Sequence, residues 1–222
     1  MQNRDERFIA HRREDGKTHP LIEHLKTTAE RAGSFAEVFG AGAMAKAVGL
    51  CHDVGKYSDK FQRHIKGQRQ RIDHATPGAQ MLLEQDSSIL GITAAYCIMG
   101  HHGGLPDGGG TNSNPDDPTL YGRRKRTVDD CSTFRQELTL PPLIPPNIAL
   151  RDGFGAAFFI RMLFSALVDA DRLDAERFML GETPRGGGED IAILRDRLLT
   201  QIKHLIEPVE PLSDLNTHRT TL

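Results

Sequence analysis

The chain has 222 residues, 38% of them hydrophobic, and a net charge of -2, a length and apolar fraction that suit one sizeable core in a single large domain. A near-neutral charge excludes any global attraction to nucleic acid or to membranes, so such contacts have to come from a local patch or from bound cations. Cys51, Cys97 and Cys131 lie far apart with no CxxC pair, which argues against a disulfide framework or thiolate zinc site and suits a reducing cytoplasm.

No segment near Met1 has the form of a signal peptide, and no stretch approaches the ~18 apolar residues of a membrane span, so a soluble protein is expected. In chain order, Leu21, Leu25, Ala32, Phe35, Ala36 and Phe39 form a stripe at helical spacing, with Thr28 inside it. Met44, Val48 and Cys51 mark a second helix, 57–65 a short third, 78–83 a fourth and 89–99 a strongly apolar fifth. From Gly103 to Asp117 the chain turns to glycine, proline, asparagine and aspartate, the composition of a long surface loop. After Pro141, Pro142, Pro145 and Pro146, the segment 154–179 is apolar nearly all round and is expected to be the central, buried helix. A last amphipathic helix is expected over 189–206, behind the glycines at 186–188. No strand pattern and no internal repeat stand out, so the expected fold class is all-α.

Polar residues interrupt these apolar faces at telling places. His24 edges the first stripe, His52 follows Val48 by four residues with Asp53 behind it, and His101 and His102 close the fifth helix. Ile160, Phe164, Leu167 and Asp171 fall at i, i+4, i+7 and i+11, which puts a carboxylate on an apolar stripe. A buried carboxylate is costly without a partner, and a bound cation is one of the few groups that offset the cost. Each residue singly has a plainer reading: a hydrogen-bonded core histidine, histidines that complement a helix C-terminus, or Asp171 paired with Arg161. Together, imidazole and carboxylate are the mixture that binds Mn, Fe, Co, Ni and Zn.

The segment LCHDVGK at 50–56 resembles the HD superfamily of metal-dependent phosphohydrolases, named for that doublet. The order LIEHL, CHDVGK, DHATPGA, GHHGGLP and SALVDADRLD is similar to the nuclease domain of the CRISPR-associated helicase-nuclease of type I systems, over about residues 20–175. The resemblance implies an HD-type helical domain with a buried metal site, whose ligands map onto His24, His52, Asp53, His74, His101, His102 and Asp171. Many relatives carry serine where this chain has Ala75. Asp171 rather than Asp169 matches the late aspartate, and helical phase agrees, because ~100° per residue turns Asp169 away from the stripe.

The mechanism expected from this resemblance assigns one divalent ion to His24, His52, Asp53 and Asp171, and a second to His74, His101 and His102, with Asp53 bridging. Two such ions about 3.5–4 Å apart can activate a shared water and neutralise the attacked phosphodiester. Lys56 either reaches a phosphate oxygen as a catalytic group or is a surface lysine ending a helix. The run Arg123, Arg124, Lys125, Arg126 beside Tyr121 either contacts a single strand of DNA or is a solvated loop. The loop after His102 lacks the glutamate and GYP of cyclic-dinucleotide phosphodiesterases, so that assignment is rejected.

The resemblance further implies a cytoplasmic nuclease domain over 1–208. Residues 209–222, ending in DLNTHRTTL, are then a linker, poorly ordered on its own, that leads to a helicase domain of a longer protein. That motor would feed single-stranded DNA to the site after an RNA-guided surveillance complex has opened the duplex. Two other readings stay open: a stand-alone HD phosphohydrolase acting on nucleotides, and a degenerate HD module that binds no metal and serves for docking.

Overall fold

The computed structural model describes residues 8–206 apart from 69, 71, 150, 151, 183–185 and 187. The expected boundary at 208 and the linker 209–222 lie outside the described residues. The chain divides into two units, Met1–Glu182 and Thr183–Leu222. The second contains one described helix, α8 (Ile191–Ile206), where the amphipathic repeat predicts it.

The first unit is helical, as expected, and opens with a small hairpin that the sequence reading missed. Strands β1 (Ile9–Arg12) and β2 (Thr18–Pro20) pair antiparallel, with His11 opposite His19. Strands of four and three residues are too short to show alternation. The available signal was Asp15-Gly16: Gly16 has φ 88°, a left-handed conformation that glycine adopts without strain.

Helix α1 (Leu21–Glu37) starts directly after Pro20 and turns back at Gly40 into α2 (Gly42–Cys51). The expected third helix, 57–65, starts two residues later than its pattern indicated. A 3-10 turn covers Val54–Tyr57, and Ser58 then caps α3 (Asp59–Ile65) by accepting a hydrogen bond from the Phe61 N–H. Helices α4 (Ala75–Gln85) and α5 (Ile89–Gly100) follow, α4 starting three residues earlier than its apolar pattern indicated. The long loop after α5 runs to a short α6 (Leu120–Arg124), capped by Thr119, which the reading of 123–126 as a basic run overlooked.

Helix α7 (Gly153–Leu180) corrects a second expectation. It is not buried all round: Phe154 is 81% exposed and Phe158 56%. Only one stripe, Phe159, Leu163, Ala166, Leu167, Ala170, Asp171 and Asp174, is buried. The central place belongs to α5, where from Gly91 to Gly100 every residue is buried except the half-buried Ile92 and Tyr96. By length and composition α7 is apolar enough to cross a membrane, contrary to the sequence reading. Yet it packs on α1, α2 and α5 and turns two carboxylates inward, the pattern of a helix laid on a protein core.

Two glycines set the close approaches that matter for the site. A Cβ on Gly55 would collide with the backbone of His74, and one on Gly78 with the Cys51 carbonyl. Gln62 ties the hairpin to the same region: its amide exchanges 3.1 Å hydrogen bonds with the Ile9 backbone and donates to the Lys56 carbonyl at 2.8 Å. Gly55→Ala should therefore force the His74 segment outward and cost about 1–3 kcal/mol through overpacking. Thermal unfolding checks this, with a fall in Tm of about 2–4 °C for each kcal/mol expected at this size.

Candidate metal centre

The seven candidate ligands come from the ends of α1, α2, α4 and α5 and from the buried face of α7, and they meet around one carboxylate. Asp53 lies just past the C-terminus of α2 and is fully buried. Its Oδ2 is 3.3 Å from both His24 Nε2 and His52 Nε2. Its Oδ1 faces the other way, 3.5 Å from His74 Nε2 and 3.4 Å from His101 Nε2. Asp171 on α7 completes the first side, its Oδ1 3.3 Å from His24 Nε2 and 3.6 Å from His52 Nε2. On the second side, His74 Nε2 lies 2.6 Å from His102 Nε2. Two groups of possible ligand atoms result, His24, His52, Asp53, Asp171 and Asp53, His74, His101, His102, with Asp53 common to both.

The orientation of the rings follows from bonds on their far sides. His52 Nδ1 and His101 Nδ1 each lie 2.7 Å from the carbonyl three residues earlier, those of Gly49 and Ile98. His24 Nδ1 lies 2.7 Å from Asp174 Oδ2. With Nδ1 as donor in all three, the Nε2 lone pairs point into the cluster, the arrangement in which outer partners fix the tautomer of a ligating histidine. The Nε2 atoms of His24, His52 and His101 are buried without a hydrogen-bond partner, and so are both Asp53 oxygens apart from the Lys56 ion pair. Five buried polar atoms left without hydrogen bonds and aimed at one another fit a bound cation; buried atoms of this kind otherwise find partners.

Charge follows geometry. Burial would push the Asp53 carboxyl up, but Lys56, His52, His101 and His24 hold it well below the usual range. Burial likewise opposes ionisation of Asp171, and the imidazoles of His24 and His52 outweigh it. Burial pushes His24 down, whereas the carboxylates of Asp171, Asp174 and Asp53 raise it to about 9. His52 goes up to about 10, burial being overcome by Asp53 and Asp171. On the second side burial and neighbouring cations win, lowering His74 to about 3 and His102 to about 4. The first side thus demands positive charge, and the second presents the neutral imidazoles of His74 and His102.

Two alternatives are overturned. Arg161 does not neutralise Asp171; it is exposed and donates to the Ala157 carbonyl at 3.1 Å. Lys56 is not a surface lysine: it is 4% exposed, with Nζ 2.6 Å from Asp53 Oδ2. Asp169 is exposed, on the face away from the centre.

The basic run is mostly committed within the fold. Arg123 and Arg126 form ion pairs with Asp73 at 2.9 Å and 2.6 Å, and Lys125 Nζ donates to the carbonyls of Thr111 and Ser113. Among the described residues Arg124 makes no ion pair. Arg123 and Arg126 nonetheless line a cleft of about 710 Å³, along with His74, His102, Leu105 and Lys60. The second side therefore opens to solvent, while His24 and His52 are fully buried.

Sequence reasoning missed Asp174, although Leu167, Asp171 and Asp174 at i, i+4 and i+7 held the signal. It also missed His11 and His19, which the hairpin sets beside His24 in a third group with possible ligand geometry. His19 is buried, its ring stacked on Phe178 at 4.7 Å. Neither strand carried a pattern that would have pointed to them.

A family model described as HD domain matches residues 21–133, about half of the chain. No curated protein matches it.

Since the folded pKa values of His24 and His52 exceed the ordinary 6.5, the stabilisation from their protonation is complete below about pH 6.5. It is lost as pH rises through 9 to 10. Metal binding needs both rings neutral, so it should release about two protons at pH 7.5 and tighten as pH rises. Calorimetric titration in buffers of different ionisation enthalpy measures the number; release of none is the contrary result.

Proposed function

The chain belongs to the HD domain family, whose members are typically metal-dependent hydrolases, and from this premise we propose that it cleaves single-stranded DNA with two divalent transition-metal ions. The observation that carries the reading is the division of Asp53, one oxygen toward His24 and His52 and the other toward His74 and His101. His24, His52, Asp53 and Asp171 would hold one ion, and His74, His101, His102 and Asp53 the other. Mn, Fe, Co, Ni and Zn all suit this nitrogen and oxygen set. When bound, such ions lower the pKa of a water toward neutrality and neutralise the oxygens of the phosphodiester.

The chain's own residues orient and shield. Lys56 holds Asp53 Oδ2 at 2.6 Å and keeps the carboxylate that the two groups share ionised. Its ammonium also donates to the Ala10 carbonyl at 3.4 Å, so its part is to position Asp53 and not to meet a phosphate in the open. Asp174 fixes His24 from behind. The cleft beside His74 and His102 admits the substrate. Its apolar walls, Met99, Leu105 and Pro106 among them, suit unstacked bases; of the basic run, Arg123 and Arg126 line the cleft and Arg124 does not.

In this reading the motor that delivers the strand is a helicase domain of the same longer protein, working in the cytoplasm after an RNA-guided complex has opened the duplex. What supports it is the order of the five motifs from LIEHL to SALVDADRLD. A second reading, hydrolysis of free nucleotides, is favoured by one observation. Three of the four cations at 123–126 are tied into the fold, which leaves little basic track for a long strand.

Circular single-stranded DNA incubated with Mn, Co or Ni should be cut by the wild type. Asp53→Ala should abolish cutting, and Lys56→Ala should lower it about 10- to 100-fold, as expected for an outer partner of a metal ligand. Hydrolysis of nucleotides with circular DNA left intact would decide for the second reading.

A further inference from the structure

We infer that Arg123 is a positioning residue for the second half of the centre, a strut that sets His74 against His101 and His102. The inference rests on the reading that these histidines hold a cation. One guanidinium reaches three points on two elements. Its NH2 is 2.9 Å from Asp73 Oδ1, and Asp73 immediately precedes His74. Its Nε donates to Thr76 Oγ1 at 2.9 Å, in the first turn of α4. Its NH1 donates to the carbonyl of Met99, in the last turn of α5, two residues before His101. A planar, permanently charged fork suits this task, because its donors diverge at fixed angles and a cation complements the negative end of a helix.

The neighbours of Arg123 keep the strut in place. Arg126 NH1 takes the other Asp73 oxygen at 2.6 Å, and Thr76 returns two hydrogen bonds to Asp73, from N at 3.1 Å and from Oγ1 at 2.6 Å. Gln80 of α4 donates to the carbonyls of Arg123, Arg124 and Arg126 at 3.0, 3.3 and 2.7 Å, fixing the end of α6 on α4. The first half has no share in this network: among the described residues Arg123 makes no hydrogen bond to α1, α2 or α7, which carry or lead to His24, His52 and Asp171. The strut therefore acts on one half-site alone. It also couples the long loop, through α6, to that half-site.

The experiment is a Co²⁺ titration of the full chain, read by calorimetry and by the absorption of the bound ion, for wild type, Arg123→Gln and Arg123→Lys, with thermal unfolding measured alongside. Wild type should take up two equivalents. In Arg123→Gln the second should bind about 10- to 100-fold more weakly, with the first within about twofold of wild type. Lys, which keeps the charge but not the fork, should restore part of the loss. If Arg123→Gln fails to fold, Arg126→Gln, which removes one arm of the Asp73 clamp, is read in the same way. Equal weakening of both equivalents, or none, would overturn the strut. Uptake of fewer than two equivalents by the wild type would instead remove the two-ion reading beneath it.

Discussion

The first unit is arranged around a carboxylate closed off from bulk solvent. Asp53 is fully buried, and among the described side chains Lys56 alone provides it with a permanent opposite charge. An ionised carboxylate in such a place is expensive unless it is paired or coordinates a metal. Four histidines from four segments turn their Nε2 atoms toward it, and these segments have to be held close together for that to happen. The Nδ1 bonds of His24, His52 and His101, the Gly55 contact with the His74 backbone and the Gln62 tether of the hairpin all serve this convergence.

The two sides of Asp53 are chemically unequal. Toward His24, His52 and Asp171 the surroundings are anionic and closed, whereas toward His74 and His102 they are neutral and open to the cleft. A cation on the closed side would be held mainly by charge, and one on the open side mainly by the placement of neutral rings. Placement depends on the supporting shell, which is why the network through Asp73, Thr76 and Arg123 lies on that side. The closed side has a single outer carboxylate, Asp174, directly behind His24.

Much of this could be read from residue order. The apolar stripes located α1, α2, α4, α5 and α7, because their amphipathic or wholly apolar character reflects burial against one another. Six of the seven candidate ligands stood at expected helix ends or on a helix stripe, while His74, four residues before the expected start of the fourth helix, came from the resemblance alone; the structure brings all seven together in two groups that share Asp53. The hairpin escaped notice because strands of four and three residues carry no period, and with it went His11 and His19. Arg123 was illegible for a different reason: a run of four cations reads either as a phosphate contact or as a solvated loop, and only the return of the loop onto α4 reveals Asp73 as its partner. Lys56 reads either as a phosphate contact or as a helix-ending surface residue, and only the 3-10 turn that folds it over Asp53 decides its place.

Asp53 would be shared by two cations, one at each carboxylate oxygen, and anomalous X-ray scattering from crystals grown with Mn²⁺ is the sharpest check. Two peaks about 3.5–4 Å apart, one beside His24, His52 and Asp171 and one beside His74, His101 and His102, are the expected result. A single peak, or density on only one side of Asp53 at saturating Mn²⁺, would contradict it.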